Sequence, residues 1–195
     1  GPDISGTTAY DRSGAGNSGT LTNGPVPAIG RMGQGLNFDG TDDYVETASQ
    51  IDVTGSKTVS FWMKADTLDA NNRRIFYSSN GTANDYLIVL SWDGYVAAVV
   101  DNVYSAIHRI TSSTLSTGQW YHVAITKTTN QVGEIYINGA AAGTVQSDYT
   151  TDNDAATYIG GHPYQDGFDG AIDDVRVYSR VLTATEIAAL YNQGK

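Results

Sequence analysis

Gly35-Leu36-Asn37-Phe38-Asp39-Gly40-Thr41-Asp42-Asp43-Tyr44-Val45, near one end of the chain, and Phe168-Asp169-Gly170-Ala171-Ile172-Asp173-Asp174-Val175-Arg176-Val177-Tyr178, near the other, decide the fold. Each stretch sets strand-forming residues beside a tight glycine turn loaded with carboxylates. Between them lie further β-branched and aromatic runs. Thr58–Lys64 and Arg74–Tyr77 read as strands. Asp85–Trp92, the Asp93-Gly94 turn and Tyr95–Asp101 read as a hairpin. Trp120–Lys127 and Gly133–Asn138 read as a second one, and Thr157–Gly160 and Ile172–Tyr178 complete the set.

Composition agrees with an all-β chain. Of 195 residues, 22 are Gly and 13 are Tyr, which suits short strands joined by tight turns. There are 18 Asp but only three Glu (Glu46, Glu134 and Glu186). Asp favours turns and Glu favours helices, so the skew again points to loops and strands. Residues 3–34 are rich in Gly, Ser, Thr, Asn and Pro and read as irregular, with one short strand at most. Only the tail reads as helix. Thr183 and Glu186 form a capping box, Ile187, Leu190 and Tyr191 share a face, and Gly194 ends it.

The net charge of −10 excludes the electrostatic footprint of a nucleic-acid binder and disfavours anionic membrane surfaces. No apolar run reaches the ~20 residues that span a bilayer, so membrane insertion is not expected. Cysteine is absent, so no disulfide, thiolate metal site or Cys nucleophile exists. Gly1-Pro2 reads as the scar of a cleaved expression tag. Residues 3–195 read as one domain, with neighbouring domains expected in a parent chain.

The two opening stretches resemble the signature of the laminin-G-like, concanavalin A-like jelly-roll family. So do Val59–Lys64, Gly118–Ala124, Tyr136–Gly139, Tyr158–Gly161 and Val177–Ile187, in that order. The resemblance covers roughly residues 10–193. It implies a β-sandwich jelly roll of two antiparallel sheets with a short C-terminal helix. It also implies a binding domain, often with calcium, on the surface or outside a cell, bacterial by our expectation. Trp62, Trp120 and Tyr136 are expected to fill the space between sheets, and His122 to take a core or inter-sheet hydrogen-bonding role.

If the first and last signature strands pair, as the resemblance implies, Asp39, Asp42, Asp43, Asp173 and Asp174 converge, with Asp11 as a further donor. Carboxylates brought together repel, and Ca²⁺ relieves this with six to eight oxygen ligands. The competing reading is Asx-turns and salt bridges to Arg12, Arg176 or Arg180. No EF-hand spacing occurs.

Catalytic motifs are missing. The three Glu are isolated, so the Glu-x-Asp-x-Glu strand of concanavalin A-like hydrolases is absent, as are a Gly-x-Ser-x-Gly elbow and His-Glu-x-x-His. The expectation is therefore a non-catalytic module that binds a polysaccharide or other glycan. An adhesin or cell-surface interaction domain recognising protein or host glycan is the alternative. Sugar rings stack on aromatic faces, and three groups of residues offer them or a complementary charge. The first is Tyr86, Trp92, Tyr95 and Tyr104. The second is the loop carrying His162, Tyr164, Gln165 and Asp166. The third is basic, Arg73, Arg74 and His108, suited to sulfate or carboxylate groups. For the basic group the competing reading is that Arg73 and Arg74 only balance Asp66 and Asp69.

Overall fold

The computed structural model describes residues 4–51, 55–69, 73–79, 86–90, 94–100, 114–128, 133–145, 156–163 and 167–195. Among the described residues, fifteen strands and one helix follow in chain order. They begin with β1 (Ile4–Ser5), β2 (Thr8–Ala9), β3 (Gly19–Thr22), β4 (Val26–Ile29), β5 (Gln34–Asp39) and β6 (Tyr44–Thr47). Next come β7 (Lys57–Ala65), β8 (Arg73–Ser79), β9 (Tyr86–Leu90), β10 (Val96–Val100) and β11 (Tyr121–Lys127). Last are β12 (Gly133–Ile137), β13 (Ala140–Val145), β14 (Ala156–Ile159), β15 (Asp169–Tyr178) and helix α1 (Ala184–Gln193). The N-terminal stretch therefore holds four strands rather than one. They are two to four residues long, too short for a periodicity to show. Pro27 hid β4 as well, and is tolerated because β4 is an edge strand.

The strands form two antiparallel sheets. One has the order β1-β2-β3-β6-β14-β8-β9-β10, the other β13-β12-β11-β7-β15-β5-β4. The two signature stretches meet as expected: β5 pairs β15 from Asp39↔Asp169 to Leu36↔Ile172. The expected hairpins also form, β9 with β10 and β11 with β12.

Alternation along β7 shows how the layers are made. Val59, Phe61, Met63 and Ala65 join the core between the sheets, with Phe38, Phe76, Val123 and Phe168. Thr58, Ser60, Trp62 and Lys64 then face the other way. Trp62 is consequently not between the sheets. It is 1% exposed because α1 lies over it, its ring 5.7 Å from that of Tyr191. Tyr136 is likewise buried in a separate cluster with Ala124, Leu182 and Ile187. Trp120 is half-buried, with the Lys64 ammonium 5.8 Å from its ring centre. His122 sits under the helix too, edge-on to Trp62 at 5.3 Å. The sequence pattern marks Trp62, His122 and Tyr136 as buried, and the third layer that buries them is the helix. The Thr183 capping box forms as expected, with both reciprocal hydrogen bonds present.

Candidate functional site

The turn from β5 to β6 closes on its own carboxylates. The Asp39 N–H donates to Asp43 Oδ2 at 3.0 Å, and the Thr41 N–H donates to Asp39 Oδ1 at 2.8 Å. Gly40 takes a positive φ of 77°, the left-handed conformation that an L side chain resists. This geometry holds one oxygen each of Asp39, Asp42 and Asp43 within 4.8 Å of one another. Asp43 is 5% exposed. Burial pushes its carboxyl above the usual range, as do the charges of Asp39 and Asp42, against the Asp39 N–H.

Arg73, at the start of β8, anchors this turn from behind. Its guanidinium pairs with Asp69 and donates to the carbonyls of Gly40 and Gly167, the latter at 3.1 Å. It is buried and committed to the interior of the corner. The competing reading of the sequence holds for this residue: it balances Asp69. Arg74 is also buried, its guanidinium carbon 5.5 Å from the centre of the Tyr77 ring. Neither arginine forms an exposed anion site. A basic group at the surface was expected because two adjacent arginines look solvated, and strand pairing conceals them.

An aromatic cluster adjoins the acidic turn on the outer face of the eight-stranded sheet. Val45, Phe76 and Ile159 point into the core, so their neighbours Tyr44, Tyr77 and Tyr158 point out. Tyr158 stands opposite Tyr77 in β8 and opposite Glu46 in β6. Its ring meets Tyr44 edge-on at 5.7 Å and lies 6.4 Å from Tyr77. His162 meets Tyr77 edge-on at 4.7 Å and Tyr158 at 5.1 Å. Gly161 makes this approach possible, since a Cβ there would lie 2.3 Å from the Asp43 carbonyl oxygen. Tyr158 and His162 are half-exposed, whereas Tyr44 and Tyr77 are buried beneath or beside them. The corner thus offers two accessible rings, Glu46 and the acidic turn within one patch.

The structure sorts the expected residues accordingly. Asp39, Asp42, Asp43, Arg73, Arg74 and His162 come together. Asp173 and Asp174 do not join them: the β5–β15 register puts Asp173 four residues beyond the Asp39↔Asp169 row, about 13 Å away. Asp173 Oδ2 accepts from the Met32 N–H at 2.6 Å, and Asp174 pairs with Arg176 at 2.9 Å. Burial raises the Asp174 carboxyl above its usual range despite that partner. Asp11 closes a separate turn, accepting from the N–H groups of Ser13 and Asn17, each at 2.8 Å. For these three the Asx-turn and salt-bridge reading describes the observed contacts. Tyr95 is half-buried just before β10, and Tyr86 lies in β9. Trp92, Tyr104, His108, Tyr164, Gln165 and Asp166 lie outside the described residues. Sequence reading missed Tyr44, Tyr77 and Tyr158 as a group. Each sits at an outward position of its strand, but only the β6-β14-β8 order makes them neighbours.

Two antiparallel sheets, the β5–β15 signature pair and a capping helix define a lectin-type jelly roll. The family model described as the concanavalin A-like lectin/glucanases superfamily matches residues 39–188, and the chain belongs to that superfamily. It is similar to domain 4 of AbnA, an extracellular GH43 arabinanase from Geobacillus stearothermophilus, solved with arabinotriose. The identity there is 25%, the TM-score 0.77, and the match covers 93% of this chain and 91% of that one. The binding domain of Paraclostridial Mosquitocidal Protein 1 is similar at 16% identity and TM-score 0.70, over 97% of this chain and 50% of that one. A SAP-like pentraxin from Limulus polyphemus is similar at 19% identity and TM-score 0.67, over 84% of each chain. No curated protein sequence matches the chain.

Proposed function

We propose that this chain is a non-catalytic carbohydrate-binding module of an extracellular, polysaccharide-active or surface protein, and that it binds a neutral glycan at the Tyr158–His162 corner. The observation that carries this reading is the pair of half-exposed rings set beside Glu46 and the acidic turn. Rings accept the apolar face of a sugar, and carboxylates and tyrosine hydroxyls accept or donate to its hydroxyl groups. The charge decides the ligand class. Arg73 and Arg74 are buried, while Asp39, Asp42 and Glu46 remain at the surface of a chain with net charge −10. Sulfated or uronate polymers would be repelled there. The likeness to an arabinanase domain seen with arabinotriose supports a neutral oligosaccharide. A module of this kind acts by raising the local concentration of its neighbours on the polymer.

The donor set of the turn fits a hard cation. Asp39, Asp42 and Asp43 present carboxylate oxygens within 4.8 Å of one another, a hard-oxygen set whose mutual repulsion a divalent charge would relieve. We propose that Ca²⁺ is held by these three residues, where it stiffens the turn beside the rings.

Calorimetric titration with arabinotriose and a neutral polysaccharide panel, in calcium and in chelator, tests the reading. Tyr158→Ala and His162→Ala should each weaken binding at least about tenfold, on the scale of one lost stacking contact. Both variants binding like the parent would remove the corner as the site. Binding confined to protein receptors would favour the adhesin alternative.

A further inference from the structure

A cavity opens between the two sheets, on the face of the eight-stranded sheet opposite the aromatic cluster. It is a cleft of about 630 Å³, a volume in the range of ligand sites. Leu36, Phe38, Val45 and Ile159 floor it from both sheets. Tyr10, Asp11, Arg12 and Ser13 form one wall. The other wall is unusual, because the consecutive residues Asp173 to Tyr178 all line it. Residues of both parities border a cavity where it runs along the edge of a strand.

The pairing explains the edge. β15 meets β5 only from Asp169 to Ile172, while β7 pairs with β15 as far as Tyr178. Beyond Ile172, no described strand pairs with the other side of β15. A bulge between Asp173 and Arg176, with Asp174 at a φ of 51°, turns the strand at this point. Val175 and Val177 are half-exposed along it, packed partly against the core. An unpaired edge in the middle of a sheet leaves main-chain donors and acceptors open to a partner.

We propose that this cleft binds an extended peptide segment, which adds as a strand along Asp174–Tyr178 and continues the row begun by β5. Its main chain would complete the ladder, and alternate apolar side chains would enter the apolar floor. The edge lies inside its sheet, beside a cleft lined from both sheets, a setting that a single extended strand fits. The lining sets Asp11, Asp173 and Asp174 against Arg12 and Arg176, a net negative rim that favours cationic flanks. Hydrogen bonds from the Ser13 hydroxyl and the Asn17 N–H hold the Asp11 carboxyl below the usual range, and Arg176 is paired with Asp174. Its floor residues Val45 and Ile159 take the face of β6 and β14 opposite Tyr44 and Tyr158, so the cleft and the glycan corner use opposite faces of that sheet.

The probe is an acetylated, amidated peptide alternating valine and threonine between terminal lysines. It is titrated into the ¹⁵N-labelled chain with amide exchange measured by NMR. Exchange should slow at edge-facing amides within Asp174–Tyr178 and leave the Tyr158–His162 corner unchanged. Val175→Lys, which places an ammonium in the cleft, should weaken the peptide at least about tenfold. Tyr10→Ala alters a residue that is 48% exposed, so it keeps the test valid should Val175→Lys fail to fold. It should weaken binding as well. No protection at about millimolar peptide, or peptide binding indifferent to Tyr10→Ala, overturns the proposal. Protection of the same amides by arabinotriose in place of the peptide also overturns it and assigns the cleft to glycan.

Discussion

His122 should make the fold acid-sensitive in a defined window, and the size of the effect follows from where the side chain sits. The residue is 2% exposed, beneath α1 and against Trp62. Its Nδ1 has no hydrogen-bond partner in the structure, nor does Trp62 Nε1. Burial, and secondarily the positive charge of Arg176, depress the imidazole from 6.5 to about 4. The unfolded chain therefore takes up this proton first as pH falls. Stability is complete above about 6.5, declines between about 6.5 and about 4, and is level below that as far as this group is concerned. At about 1.4 kcal/mol per pH unit, the upper limit of the loss is about 3 kcal/mol. Asp43 and Asp174 act with the opposite sign. Their carboxyls are raised, so on acidification their contribution rises rather than falls. The comparison must therefore be made against a variant. Urea unfolding of the parent and of His122→Leu, between about pH 7.5 and about pH 4, should give curves that converge towards acid, the parent losing about 2–3 kcal/mol more. The His122 imidazole followed by NMR should titrate near 4. Parallel stability curves, or a titration near 6.5, would refute the assignment of the loss to this residue.

Two further perturbations address the corner. Asp42→Asn leaves the turn hydrogen bonds of Asp39 and Asp43 intact, because the Asp42 contact to the Asn23 side-chain amide uses its backbone carbonyl. In chelator it should melt at or slightly above the parent temperature, since one repulsive charge is gone. Addition of Ca²⁺ should raise the melting temperature of the parent but not of the variant, and equal responses would remove Asp42 from the metal set. Gly160→Ala probes the packing behind His162. Gly160 has a φ of 79°, and an added Cβ would lie 2.1 Å from the Phe38 ring. Left-handed strain of about 1 kcal/mol and overpacking of about 1–3 kcal/mol should together lower stability by about 3 kcal/mol in urea unfolding. A cost below about 1 kcal/mol would show that the Phe38 ring yields freely.

The fold was legible in the sequence because its defining features are local. A glycine turn beside alternating residues fixes where β5 ends, and a Thr183–Glu186 box fixes where α1 begins. What failed to show was whatever depends on a third element. Trp62 alternates as a buried residue should, but nothing in its own strand says whether a sheet or a helix covers it. The six aspartates expected to converge share a composition, and only the register of β5 on β15 separates Asp173 from Asp39. The reverse holds for Tyr44, Tyr77 and Tyr158, which are far apart in sequence and adjacent through strand order. Sequence local to a strand determines which face a residue takes. The neighbours on that face come from topology.

Arg73 shows why charge at the corner could not be read from a count of cations and anions. Its side chain is 11% exposed and paired with Asp69, and it spends its remaining donors on the carbonyls of Gly40 and Gly167. Those carbonyls belong to the acidic turn and to the segment that follows His162, so one guanidinium sets the spacing between the carboxylates and the rings. An ion pair whose acidic partner is 37% exposed adds little to stability by itself, because solvent screens the attraction and desolvation of the arginine offsets it. Its effect is on geometry and on field. The positive charge is held inside the corner with its own counter-ion, so the surface that a ligand meets is left with Asp39, Asp42 and Glu46. The same residue that orders the turn is thereby withdrawn from the surface, which supports the proposed neutral glycan over an anionic polymer.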